Sequence, residues 1–174
     1  MKMNLLTWFI LWTISLPALG AGSFNAKVTH ISDGDTFTVT IAGGKTFRIR
    51  LSGIDAPEKD QPFGAKAKTG LSTLIMGKEV RVDWSGYDDY QRLLASVFSG
   101  STWINQHMII QGWAWHYIFY DQNPQLSSAQ TKARATRKGL WAGTNPTAPW
   151  DWRKKTKKTH TKSKAGAVRI ASLL

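Results

Sequence analysis

Between Thr46 and Leu51 the chain reads Thr-Phe-Arg-Ile-Arg-Leu, a strict alternation of polar and apolar side chains. Successive side chains on an extended strand point to opposite faces, so Phe47, Ile49 and Leu51 share one face and Arg48 and Arg50 the other. A segment patterned this way must bury one face in a sheet and wet the other. Three more short segments carry the same period, Lys27 to Ile31, Phe37 to Ile41 and Glu79 to Trp84, and Leu93 to Phe98 reads as another strand. Turn formers punctuate them, with Asp33-Gly34 after the first, Ala42-Gly43-Gly44-Lys45 after the second and Ser99-Gly100 after the last. The polar stretch Ser85 to Gln91 is predicted as a loop.

Helical periodicity is interposed and then takes over. Ala65, Ala67, Leu71, Leu74 and Ile75 form an apolar stripe over Gly64 to Met76, with Gly77 as a natural end. Thr102 is placed to cap a helix from Trp103 to Gln111, ended by Gly112. Trp113 to Tyr120 is dense in aromatics. Asn123-Pro124 opens a last helix, about Gln125 to Lys138, ended by Gly139, after which Leu140 and Trp141 are expected to fold back on the core. Five short strands with helices on one side predict an α+β fold, a five-stranded OB-type Greek-key barrel carrying about three helices. No internal repeat is present.

The ends differ from the middle. Met1 to Ala21 reads as a signal peptide: Lys2, an apolar run from Leu5 to Leu16, then Pro17 and the small residues of Ala18-Leu19-Gly20. A spanning helix needs roughly 20 apolar residues, so no lasting membrane insertion is expected after cleavage. That places the mature protein outside the cytoplasm, periplasmic or secreted. Residues 22–143 form the expected domain and residues 144–174 a basic tail expected to be disordered. Of the net charge of +12, Arg153 to Leu174 carries +8 with no acidic residue, whereas Ala21 to Trp152 has 14 basic and 11 acidic residues. Such a tail attracts polyanions in a salt-dependent way. There is no cysteine, which excludes disulfides and thiolate metal sites. His30, His107, His116 and His160 have no metal-like spacing.

Chemistry concentrates in Arg50-Leu51-Ser52-Gly53-Ile54-Asp55-Ala56-Pro57-Glu58. Upstream lies Asp33-Gly34-Asp35-Thr36, and a hairpin between the two would bring Asp35 beside Asp55. Two carboxylates meeting that way suit a hard cation with oxygen ligands. A nearby arginine and a spare carboxylate suit phosphodiester chemistry. A second arginine, Arg92, begins the strand after the polar loop.

Ser32-Asp33-Gly34-Asp35-Thr36, Arg50 to Glu58, Tyr90-Gln91-Arg92-Leu93-Leu94-Ala95 and Gly139-Leu140-Trp141 together resemble the micrococcal (staphylococcal) nuclease family, collinearly over roughly Ala26 to Ala142. The resemblance implies calcium-dependent, sequence-nonspecific hydrolysis of DNA and RNA to 3′-phosphorylated products. It implies Asp35, Asp55 and the carbonyl of Ala56 as calcium ligands, with Asp33 behind them. It implies Glu58 as general base, and Arg50 and Arg92 as the residues that bind the scissile phosphate. Tyr90, Tyr117 and Tyr120 fall where nucleotide contacts would lie. Three positions depart from the family pattern. Ala56 stands for a threonine, Gln91 for a glycine, and Asp89 for a lysine that contacts the terminal phosphate. The competing expectation is a non-catalytic nucleic-acid-binding module on the same barrel. A monomer is the default.

Overall fold

The computed structural model describes residues 21–157. The proposed signal segment up to Gly20 and residues 158–174 of the basic tail lie outside the described residues. The strands are β1 (Gly22–Ile31), β2 (Thr36–Thr40), β3 (Thr46–Leu51), β4 (Ile54–Asp55), β5 (Glu79–Tyr87), β6 (Leu93–Ser99), β7 (Thr102–Trp103) and β8 (Trp115–His116). The helices are α1 (Gly64–Ile75), α2 (Ile104–Ile110), α3 (Pro124–Ala135) and α4 (149–157), with a 3-10 turn at Gly139–Ala142.

The sheet runs in the order β3-β2-β1-β5-β6, and β3 also pairs with β6 in parallel, which closes the five strands into the expected barrel. Closure leaves no exposed edge among these five strands. The inner face is what the alternation dictates. Phe37, Val39, Ile49, Leu51, Val82 and Val97 are fully buried, together with Leu71 and Ile75 of α1 and Met108 and Ile109 of α2. Each large side chain of this kind contributes about 1.5–3 kcal/mol by leaving water. Asn105 of α2 is also fully buried, and its amide accepts from the Val97 N–H and donates to the Ser52 and Ala95 carbonyls, tying α2 to the barrel wall.

Several local boundaries differ from the sequence expectation. β5 continues to Tyr87 through a register shift between Trp84 and Gly86, because β6 extends opposite it, so the predicted loop shrinks. Thr102 is not a helix cap: it pairs with Ser99 in β7, and Trp103 precedes α2 with no capping side chain. α3 starts at Pro124, with the Asn123 side chain accepting from the Gln125 N–H, and it ends at Ala135.

The largest difference is at the C-terminal end. Residues 144–157 do not trail off as an unstructured tail. Trp150 of α4 packs edge-on against Trp115 at 5.6 Å and stacked on Tyr117 at 5.4 Å. The aromatic stretch read as a dense run from Trp113 onward supplies the surface on which this helix docks. Burial of these large rings supplies the stability a short Lys-rich helix lacks by itself.

Candidate active site

Register alone sets most of the site. Thr36 at the start of β2 pairs with Arg50 on β3, and Arg50 pairs with Leu94 on β6, two residues past Arg92. The neighbouring ends of three adjacent strands therefore bring Asp35, Arg50 and Arg92 together. β4 pairs with β8, fixing Asp55 opposite Trp115 just after Arg50. Together with Glu58, Tyr90, Tyr117 and Tyr120 they line one cleft of about 760 Å³.

Two backbone approaches make this possible. The Asp33–Asp35 turn lies directly on Ala56 and α1, so close that a Cβ on Gly34 would sit 2.7 Å from the Cβ atoms of Ala56 and Ala67. At the other end, a Cβ on Gly64 would lie 1.9 Å from the Glu58 carbonyl oxygen. Glycine is required at both places to let the carboxylate-bearing turns reach their positions. The Glu58 turn is held further by the Gln61 side chain, which accepts from the Glu58 N–H and donates to the Thr147 carbonyl.

Arg50 is the hub. Its Nε lies 3.2 Å from Asp35 Oδ1 and its Nη2 lies 3.1 Å from Asp55 Oδ1. Nη1 donates to the carbonyls of Leu51 and Ile54, which anchors the guanidinium. Asp35 Oδ2 accepts from the Ala56 N–H at 2.8 Å, and Oδ1 accepts from the Thr36 hydroxyl. The two carboxylates expected to meet do meet, across one guanidinium. Both are almost fully buried. Burial pushes the Asp55 carboxyl up, reinforced by the Asp35 charge and opposed by hydrogen bonding from Arg153 and the charge of Arg50.

Asp33 lies beside this pair. Its Oδ1 accepts from the Asp35 and Thr36 N–H groups, shaping the turn. Burial, followed by the Asp35 charge, pushes its carboxyl up to about 6.

Arg92 reaches the site through Asp88 of the preceding loop. Its Nε and Nη2 both lie 2.7 Å from Asp88 Oδ2, and its Nη1 donates to the Thr36 hydroxyl at 3.0 Å. The other Asp88 oxygen accepts from the Tyr90 and Arg92 N–H groups. Burial works to raise the Asp88 carboxyl, yet the hydrogen bonds and charge of Arg92 outweigh it and hold it below the ordinary value. Gln91 adopts a left-handed φ of 58° to make this loop, the conformation for which glycine is the natural residue. The Tyr90 ring lies under the Arg92 guanidinium and is 73% exposed, and Tyr120 is 82% exposed, so both offer free ring faces at the rim. Tyr117 is instead half-buried against Trp150.

A third arginine was missed entirely. Arg153 of α4 donates to Glu58 Oε1 at 2.6 Å and to Asp55 Oδ2 at 2.8 Å. Its place in a Lys/Arg-rich run concealed it. The spacing of Tyr90-Gln91-Arg92 after Asp88 was the one signal that could have exposed the Asp88 anchor.

Among the described residues no group of three or more acidic, histidine or cysteine side chains is arranged to hold a metal ion by itself. Two buried carboxylates on adjacent turns, with the Ala56 backbone between them, still fit a hard cation that fills its remaining positions with carbonyl, water and phosphate oxygens.

Sequence comparison agrees with this geometry. Residues 48–143 match the family model described as staphylococcal nuclease homologue. The chain belongs to the staphylococcal nuclease family. A protein of Haemophilus influenzae named an uncharacterized endonuclease is 44% identical over 153 residues, covering 88% of this chain and 86% of that protein. One of Escherichia coli with the same name is 38% identical over 83% of this chain and 94% of its own length. The staphylococcal-like nuclease CAN1 of Arabidopsis thaliana is 41% identical over 110 residues, which is 34% of that longer protein. The chain is thus an enzyme of the nuclease class, a phosphodiesterase on the OB-type barrel of its family.

Proposed function

We propose that this nuclease is an exported, calcium-dependent endonuclease acting without sequence preference on DNA and RNA and leaving 3′-phosphorylated products. The observation that carries the reading is the convergence of Asp35 and Asp55 on Arg50, with Glu58 and Arg92 on the walls of the same cleft. Asp35, Asp55 and the Ala56 carbonyl would hold Ca²⁺, which when bound polarises the phosphoryl group and offsets its charge. Glu58 orients a water and takes its proton as the oxygen attacks phosphorus. A positioned general base contributes on the order of 100- to 10,000-fold. Arg50 and Arg92 clamp the non-bridging oxygens, a fit that the planar guanidinium fork makes and lysine does not. The negative charge that builds on the five-coordinate phosphorus falls on these two donors. The bond to the 5′ oxygen then breaks, the phosphate stays on the 3′ side, and the 5′ oxygen takes up a proton. Tyr90 and Tyr120 offer ring faces to sugar or base, as aromatic platforms on single strands do. The enzyme acts as a monomer, after loss of the segment Met1 to Ala21. No helix among the described residues is long and apolar enough to cross a membrane.

The test is digestion of DNA and of RNA with calcium, with EGTA, and with Glu58→Gln and Arg50→Ala. Cleavage should vanish in EGTA and fall by at least about 100-fold in both variants. Undiminished cleavage in EGTA would remove calcium from the reading. Full activity in both variants would remove the site assignment. Binding of nucleic acid without cleavage by the unaltered chain would leave a non-catalytic binding module.

A further inference from the structure

Helix α4 lies beyond the segment that matches the family model, yet it delivers a side chain to the centre of the cleft. Arg153 bridges the two carboxylates that the Arg50–Glu58 segment supplies. Its Nη1 lies 2.6 Å from Glu58 Oε1 and 3.3 Å from Asp55 Oδ1, and its Nη2 lies 2.8 Å from Asp55 Oδ2. Because Arg50 also takes Asp55 Oδ1, both oxygens of Asp55 are engaged by guanidinium groups.

The placement is built. Trp150, three residues earlier, stacks on Tyr117 with the rings 13° from parallel. Trp152 Nε1 donates to Asp60 Oδ1 at 3.4 Å, and the Thr147 carbonyl before the helix accepts from the Gln61 side chain. The helix is therefore fixed on the same turn that carries Glu58. The Arg153 side chain itself stays 43% exposed. Its guanidinium can leave by rotamer changes while Trp150 keeps the helix docked.

A guanidinium between two carboxylates supplies the positive charge that an oxygen-liganded cation would supply from the same lone pairs. We propose that Arg153 is an in-chain counter-ion that competes with the divalent cation for Asp55 while it occupies Glu58, so that loading of the site requires its release. The proposal rests on the reading of Asp35 and Asp55 as cation ligands. The paired state lowers the apparent affinity for the cation in proportion to the fraction of molecules in which the carboxylates are free. Release also frees Glu58 as a base only when cation and substrate arrive, and it turns Arg153 toward the mouth of the cleft, where an incoming phosphate meets it.

The experiment is calorimetric titration of the full chain with calcium chloride alone, comparing the unaltered protein, Arg153→Ala and Arg153→Lys. Melting curves in EDTA and in saturating calcium accompany it. Arg153→Ala is expected to bind calcium on the order of 10-fold more tightly, and Arg153→Lys, a point charge without the bridging fork, to fall between. In EDTA Arg153→Ala should melt below the unaltered protein, and the gap should close in saturating calcium. Calcium binding by Arg153→Ala alone would support competition most strongly. Equal or weaker binding by Arg153→Ala, or a melting gap that persists at saturating calcium, would overturn it while leaving the cation site standing. No response to calcium in any form, with hydrolysis intact in EGTA, would overturn the calcium reading and the competition with it.

Discussion

Asp88→Asn isolates how Arg92 is held. In the unaltered protein one Asp88 oxygen accepts a charge-assisted hydrogen bond from Arg92 Nε and forms an ion pair with its Nη2, and the other accepts two backbone N–H groups. Asparagine retains an acceptor for the backbone but loses the charge and one acceptor oxygen facing Arg92. A hydrogen bond to a charged group is worth about 1.5–3 kcal/mol net. The pair is mostly buried, with side-chain exposures of 19% and 15%, so solvent removes only part of this. One such bond with its ion-pair contact, trimmed for solvent, gives about 2 kcal/mol. For a domain of this size that is a fall in Tm of about 6–10 °C. The effect on turnover is larger in ratio, because Arg92 then has only the Thr36 hydroxyl and the Tyr90 ring to aim it. Loss of alignment at a phosphate clamp costs about 100-fold in kcat/KM. The pH dependence has a definite sign. The folded carboxyl is held below its ordinary value of 3.8. Its stabilisation is therefore fully present above that value and disappears as pH falls through the folded value. The Tm gap between the two proteins should be constant from about pH 7 to 5 and close below about pH 4. Thermal melts across pH and steady-state kinetics on a short oligonucleotide measure both. A variant with unchanged Tm and unchanged kcat/KM would refute the anchoring role.

Gln91→Gly removes a left-handed glutamine and should raise stability by about 0.5–1 kcal/mol in a denaturant titration, since glycine adopts that backbone without Cβ strain. Gly64→Ala should lower it by more than about 2 kcal/mol and depress turnover as well, because the new Cβ collides with the carbonyl of Glu58 and pushes that turn away. Removal of residues 158–174 should weaken nucleic-acid binding at low salt and flatten its dependence on salt, with kcat retained. A cut after Trp152 deletes Arg153 as well and should change calcium affinity, which titration of the two truncations separates.

The sequence by itself determined the barrel and pointed to the residues of the candidate site. The period-two pattern of Phe47, Ile49 and Leu51 required a sheet with Arg50 on the wet face, and that is where β3 places them. The spacing of Asp35, Arg50, Asp55, Glu58 and Arg92 carried their juxtaposition, because adjacent strands in a small barrel have little freedom in register. Local chemistry was less decisive at element ends. Thr102 has the residue type of a cap, but pairing with Ser99 won.

Only the tertiary structure decided what touches what over long range. Asp88 reads as one acidic residue in a polar loop until Arg92 closes on it. Residues 153–157 have the composition of a solvated tail, and nothing in their own pattern requires order. Their order comes from aromatic surface assembled elsewhere, where β8 and the residues after it set Trp115 and Tyr117 beside Trp150. Helices this short owe their existence to what they pack on rather than to propensity. The pairing of Arg153 with carboxylates 95 and 98 positions earlier therefore left no trace in the sequence, and the folded barrel alone brings them within hydrogen-bonding distance.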